Sequence, residues 1–423
     1  MIETAPETVE HERVAVQSRP GRFRSLDRDH FDVIIVGAGT GGLTAGALLT
    51  RSGKSVLVLD RHYVAGGNAT VFRRGEYEFD VGIHYIGDCG PDGSVPRILR
   101  AAGVDGVTFR EMDPDGFDTF LFPDFTFCVP KGFEAFRHRL VEHFPREAKG
   151  IARYVDALQA VRSFQALGNG GFLNVVQTMW QARTVLRYAN STVASFLDSC
   201  TRDQRLRAVL TAHSGDYAEP PSRASFMVHA GVTAGYLAGA YYPEGGGQTL
   251  SNHLADAIER QGGKILLRAP VTKILVEQGR VTGVEFESHH LGRSTVRAPI
   301  VVSNADLKRT FLDLIGAEFV KPKTVRRIQG YEMAPALGVV FLGIRRDLRA
   351  DGLPNTNFWI HPTYDLEPQY AETREGRFHP RPSCFLFSSS LKDPGRWPRH
   401  LPRLIKKTYQ AEHCRRIGHA SPC

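Results

Sequence analysis

The chain is short of cysteine: six in 423 residues, Cys89, Cys128, Cys200, Cys384, Cys414 and Cys423, with no C-x-x-C pair among them. That spacing excludes a disulfide scaffold or a zinc ribbon and predicts free thiols in a reducing compartment. Its first 29 residues also lack an apolar core for a signal peptide. Glu3, Glu7, Glu10 and Glu12 speak against a transit peptide, so residues 1–29 are expected to form a disordered leader. No membrane span is predicted. The uncharged window Val33–Thr50 is rich in glycine and fits a strand, a loop and a helix better than a bilayer helix.

Net positive charge is scarce too, once its position is considered. The formal charge is +8, of which residues 396–423 carry +6 and all the rest only +2. A nucleic-acid partner therefore has no support, and none is expected.

What the chain has is glycine, 42 residues of it, used in patterns. Phe31–Leu43 reads FDVIIVGAGTGGL: a short β-branched run feeding Gly37, Gly39 and Gly42 in the order G-x-G-x-x-G, with Ala38, Thr40 and Gly41 between them. The first glycine permits the tight turn. The second lets backbone approach a pyrophosphate, and the third lets helix pack on strand. A pyrophosphate then rests on helix N-terminal amides, where the backbone dipole favours negative charge. KSVLVLD follows and ends at Asp60, placed 23 residues beyond Gly37 to grip a ribose hydroxyl. After it, Arg61 opens a stretch leading to Gly66, Gly67, Asn68 and Thr70. A second glycine pair lets another backbone segment press against the cofactor, which suits FAD better than NAD.

Downstream, Phe133, Phe136, Leu140 and Phe144 fall at helical spacing, as do Ile151, Val155 and Leu158, and Ser191 is the expected N-cap of a helix running toward Cys200. The uncharged run from Ser225 to Pro243 predicts either the wall of an apolar cavity or a tightly packed core segment. From Gly263 to Ser303 the pattern turns to strands, broken at Ala269-Pro270 and Gln278-Gly279.

Together the glycine loop, Asp60 and the Gly66-Gly67 pair resemble flavin oxidoreductases of the glutathione-reductase-like fold. EYEFDVGIHYIGD (76–88), PPSRASF (220–226), AYYPEGGGQTL (240–250), APVTKILVEQGRVTGV (269–284) and IVVSNAD (300–306) resemble the retinol saturase family and its bacterial relatives. These shade into carotenoid isomerases and phytoene-desaturase-like enzymes. The likeness implies an α/β FAD-binding Rossmann domain at 30–110 and 235–310, and an inserted α+β substrate domain at 111–234 and 311–395. It places Gly37, Ala38, Gly39, Thr40, Gly41, Gly42, Asp60, Arg61, Gly66, Gly67, Asn68, Val271 and Asn304 on FAD. Asn68 stands where many relatives outside this branch carry arginine, which disfavours an amine-oxidase reading.

The resemblance also implies an oxidoreductase that saturates, desaturates or isomerises carbon–carbon double bonds of a hydrophobic polyene or lipid. NAD(P)H is a candidate external reductant, and a cytoplasmic location with peripheral membrane contact is expected. His84, in GIHYIG, is implied to lie near the flavin ring as a general acid or a substrate-positioning donor; the alternative is a histidine satisfied by backbone carbonyls. Tyr85, Tyr241 and Tyr242 are expected as cavity walls. An amine-oxidase-like enzyme and a non-enzymatic binding protein like the GDP-dissociation inhibitors are the competing classes.

Residues 396–423 are Arg-, Pro-, His- and Cys-rich without apolar period, and the C-terminal glycine motif of relatives is missing. A truncated or frameshifted chain with a disordered tail, and with weakened flavin binding and activity, is the resulting expectation.

Overall fold

Val33–Val36 (β1) is a run of four β-branched residues, all buried, and Val56–Leu59 (β2), alternating valine and leucine, is buried throughout as well. Apolar on both faces, such strands need cover on both sides, which is the environment of a parallel sheet. In the computed structural model, which describes residues 26–75, 77–166, 183–288, 291–334, 337–344 and 346–396, they are the inner strands of a four-stranded sheet. Its order is Lys264–Leu266, β2, β1, Ile300–Ser303, and every pairing is parallel.

Thr40–Arg51 (α1) follows β1 after the three-residue turn Gly37–Gly39, so the helix starts at Thr40, ahead of Leu43 where the apolar helical spacing sets in. Gly46 lets α1 meet the helix Gly247–Arg260: a Cβ at this position would come within 2.8 Å of Ile258 Cδ1. Three antiparallel strands, Val271–Glu277, Arg280–Ser288 and Gly292–Arg297, complete this part. Gln278 and Gly279 both take positive φ (50° and 74°), as a two-residue hairpin turn of the right twist requires.

The chain divides into two compact units. The first runs up to Ile83 and adds Ile98–Val107 and Gly245–Tyr331; the second comprises His84–Arg97, Thr108–Glu244 and the chain from Glu332. These bounds differ from those expected. Residues 84–97 and 235–244 join the second unit because Ile86–Gly87 and Phe109–Glu111 pair on either side of Ala240–Pro243. Residues 311–331 join the first, where Leu314 packs in its core with Ile34, Leu59 and Phe286.

The second unit holds a sheet in the order Cys384–Leu386, Asn357–Ile360, Asp118–Phe122, Phe125–Val129. Its middle pair is parallel, which brings residues 239 positions apart into register. Helices Phe133–His143 and Ala148–Ala166 share a core with this sheet; Ile151, Val155 and Leu158 are fully buried, as the helical spacing requires. The run from Ser225 becomes a helix, Phe226–Leu237, followed by the strand Ala240–Pro243. Phe226, Ala230, Ala234 and Leu237 lie in that core, on one side of a helix whose Val228 is exposed.

Three expectations change. The helix Val193–Leu197 is capped by Thr192, whose side chain accepts from the Ser195 amide, and not by Ser191. Residues 26–29 of the expected leader are attached: the Asp29 carbonyl accepts the Arg297 amide at 2.7 Å, and Asp27 pairs with Lys264. Arg396, the first residue of the expected tail, donates to the Tyr242 hydroxyl at 2.9 Å. Residues 1–25 of the leader and 397–423 of the tail lie outside the described residues. Cys89, Cys200 and Cys384 carry free thiols, whereas Cys128, against the expectation, is disulfide-bonded. No helix among the described residues is long and apolar enough to cross a membrane.

Candidate dinucleotide site and the buried polar cluster

In the first unit, a cleft of about 700 Å³ opens over the C-terminal ends of β1 and β2. That is the position at which open parallel sheets bind ligands. Gly37 turns the chain out of β1 at φ +104°, a conformation that side chains disfavour. The N-terminus of α1 behind it has no side-chain cap and no acidic residue in its first turn, so its amides are left for an anion.

Asp60 follows β2 and joins the two loops. Its Oδ2 accepts the Ala38 amide at 2.6 Å and its Oδ1 accepts the His62 amide at 2.7 Å. The Gly66-Gly67 pair has a reason that spacing alone did not give. Gly66 donates to the Ala38 carbonyl at 2.7 Å, and a Cβ on Gly67 would come within 3.1 Å of the Gly39 Cα. The two glycine loops thus pack backbone to backbone. Asn304 closes the third side: its amide donates to the Val36 carbonyl at 2.8 Å, and its side chain lies over Gly39 and Gly41.

Of the residues expected at the cofactor, Gly37, Gly39, Asp60, Arg61, Gly67, Asn68, Val271 and Asn304 line the cleft. Ala38, Thr40, Gly41, Gly42 and Gly66 are not among its lining residues; Ala38 and Gly66 brace the loops, and Gly42 packs against the Gly37 carbonyl. Sequence reasoning missed Tyr63, Phe72, Pro270 and Arg309, which also line it. Only Pro270, beside Val271 at the head of a strand, stood next to a residue already singled out.

His84 belongs to the second unit. Its ring lies 4.2 Å from Phe387 and 5.2 Å from Phe385, centroid to centroid, and its Nδ1 is buried with no hydrogen-bond partner among the described residues. Burial, and secondarily the charge of Lys392, lower its pKa to about 4. At neutral pH the imidazole is uncharged, which disfavours the general-acid role and leaves that of a polar donor or acceptor. The expected satisfaction of the ring by backbone carbonyls does not extend to Nδ1.

Beside it is a cluster that no motif announced. Asp118, fully buried, accepts from Tyr85 Oη at 3.0 Å and Asn357 Nδ2 at 2.8 Å, and its Oδ2 lies 2.8 Å from His213 Nε2. Burial alone lowers the His213 pKa, but the hydrogen bond and charge of Asp118 outweigh it and raise it. Burial pushes Asp216 up to about 7. Tyr85 stacks on Tyr236 at 4.1 Å, so this tyrosine is a wall and a hydrogen-bond donor at once.

Comparison with known proteins adds the following. Residues 35–102 match the model of an NAD(P)-binding Rossmann-like domain. An all-trans-retinol 13,14-reductase of Danio rerio is 31% identical, the match covering 91% of this chain and 66% of that protein. The Homo sapiens protein of that name is 30% identical, at 86% and 63% coverage. A chloroplastic prolycopene isomerase of an Oncidium hybrid cultivar is 26% identical, at 88% and 63%. The chain thus spans less than two thirds of the length of these relatives. A second Danio rerio relative, 28% identical, is described as an inactive all-trans-retinol 13,14-reductase. Among solved structures, an oxidoreductase from Methanosarcina mazei shares the fold at a TM-score of 0.51 and 20% identity, over 70% of this chain and 64% of that one.

Proposed function

Because the chain belongs to the family of retinol saturases, carotenoid isomerases and phytoene-desaturase-like oxidoreductases, we propose that its first unit binds FAD and that the protein acts on carbon–carbon double bonds of a hydrophobic polyene. The observation that carries this is the cleft itself: two glycine loops packed backbone to backbone, a carboxylate between them, and an uncapped helix N-terminus behind. When bound, the flavin supplies two-electron transfer to or from a carbon of the polyene.

The residues of this chain supply the grip. Asp60, already oriented by two backbone amides, holds the adenosine ribose; the amides at the start of α1 hold the pyrophosphate; Gly37, Gly39 and Gly67 keep side chains out of its path. Val271 and Pro270 offer an apolar edge to the adenine. His84 serves as an uncharged polar contact for substrate. A conjugated double bond offers no carbonyl to polarise, so a charged acid at His84 is not demanded; saturation takes one hydride and one proton, the proton drawn from solvent. NAD(P)H is the proposed reductant for saturation.

Peripheral membrane contact belongs to the same proposal, since a polyene partitions into lipid. It is supported by Leu337–Ile344, an apolar stretch in which Val339, Val340 and Leu342 are 57%, 80% and 62% exposed. The test of the whole reading is to load the purified chain with FAD, reduce it anaerobically, and add all-trans-retinol or a carotene. Loss of the polyene absorption band with reoxidation of the flavin supports it. A flavin that stays reduced with every polyene while no isomerised polyene forms, together with an oxidised flavin that none of them reduces, refutes the substrate class.

A further inference from the structure

His84 and Tyr85 are held at two points by one ring of hydrogen bonds. Lys392 Nζ donates to the His84 carbonyl at 2.6 Å and also to Asn357 Oδ1. Asn357 Nδ2 donates to Asp118 Oδ1, and Asp118 Oδ2 accepts from the hydroxyl of Tyr85, the residue after His84. The ring therefore closes on the dipeptide from which it starts. Its members come from a strand, a second strand parallel to it and the short helix Ser389–Lys392.

Lys392 is an unusual choice for such a place. It is 2% exposed, and a buried ammonium is costly unless its protons are taken up. Here carbonyl and amide oxygens take protons, and the rings of Phe387, Tyr85 and Tyr242 stand 4.8, 5.7 and 5.7 Å from Nζ. Asp118 lies one side chain away through Asn357, whose amide fits only one way round, accepting from the lysine and donating to the carboxylate. Hydrogen bonding to the His84 carbonyl alone needs no charge; a glutamine or a water would serve. A cation at this point does something more, because it repels a proton from the adjacent imidazole.

We propose that Lys392 is the positioning residue for His84: the ring through Asn357, Asp118 and Tyr85 fixes the dipeptide, and the buried cation adds to burial in keeping the imidazole uncharged, with its Nδ1 unspent for the substrate. The proposal deepens the reading of His84 as a substrate contact and rests on it. His84 itself carries two aromatic neighbours, Phe385 and Phe387, so Lys392 is the charged group that the proposal sets against its ring.

The test is a titration of the full chain labelled with ¹⁵N-histidine, followed by NMR, and needs neither flavin nor polyene. In the unmutated chain the His84 midpoint is expected near 4. Lys392→Met and Lys392→Gln should raise it part of the way, burial still holding it below the ordinary 6.5, and Lys392→Arg should leave it low. Asn357→Leu breaks the ring but keeps the cation, so it should shift the His84 ring resonances while the midpoint stays low. A folded Lys392→Met or Lys392→Gln chain with an unchanged midpoint overturns the proposal, as does Lys392→Arg behaving like Lys392→Met. Should the lysine variants not fold, the unmutated chain decides: slow solvent exchange of the Lys392 ammonium protons supports the ring and rapid exchange overturns it. Failure here leaves FAD binding and polyene turnover untouched, so the two readings fall separately.

Discussion

The Gly37 carbonyl oxygen stands where Gly42 has no room for a side chain: a Cβ on Gly42 would lie 2.0 Å from it. Neither atom can move cheaply, since Gly37 is fixed by the hydrogen bond its amide donates to the Leu59 carbonyl and Gly42 sits in the first turn of α1. Gly42→Ala is expected to destabilise the first unit by about 1–3 kcal/mol, the usual cost of overpacking a tight contact, and to displace the loop. Dinucleotide affinity and the thermal midpoint should fall together. A variant that melts and binds like the parent contradicts this packing.

Asp60 gives a second test. Asp60→Ala removes the carboxylate that orders Ala38 and His62 and that the proposal sets on the ribose. A hydrogen bond to a charged group contributes about 1.5–3 kcal/mol, so FAD should bind roughly tenfold to a hundredfold more weakly. Equilibrium titration of FAD fluorescence measures it.

Asp118 tests the second unit. Asp118→Leu leaves Tyr85, Asn357 and His213 without their common acceptor in a buried setting. Removing one partner of such a buried pair costs about 3–5 kcal/mol. A large drop in the melting midpoint is expected, read by tryptophan emission, to which Trp359 of this unit contributes. A change within experimental error refutes the role given to the cluster.

Acid should weaken the second unit. Burial is the main cause that lowers His84 and His361 to about 4 and His229 to about 3, all from 6.5. For groups with depressed folded pKa, their share of stability is present above pH 6.5 and is lost as pH falls through the folded values, because the unfolded chain takes up the protons first. Asp216, raised from 3.8 to about 7, works the other way in the same window, but it is one group against three. His213, raised, loses its share as pH climbs through its folded value. The melting midpoint should therefore be highest near neutrality and fall steadily from pH 6.5 to 4. A flat profile over that window contradicts the burial of these imidazoles as neutral groups.

Much of this was legible because the first unit uses local rules. VIIV, the glycine spacing, Asp60 and the Gln278-Gly279 turn each act within a few residues, and each leaves a mark in composition. The cluster around Asp118 leaves none: Tyr85, Asp118, His213, Asn357 and Lys392 converge only because Asn357–Ile360 pairs in parallel with Asp118–Phe122 across 239 positions. Period-2 alternation cannot reveal which strand will be the neighbour. The expected N-cap at Ser191 failed by one residue for a related reason, since Ser191 and Thr192 are both competent acceptors and tertiary packing chose Thr192. His84 was found by resemblance, whereas its unpaired Nδ1 and its lysine neighbour were not.

Direct titration of FAD into the purified chain, with NAD run in parallel and Asp60→Ala as control, tests the central claim most directly. The account predicts saturable quenching of flavin fluorescence at one FAD per chain, weaker binding of NAD, and a tenfold or greater loss in Asp60→Ala, in line with the removal of a charged hydrogen bond. Absence of FAD binding, tighter binding of NAD, or an Asp60→Ala chain that binds FAD as well as the parent would contradict it.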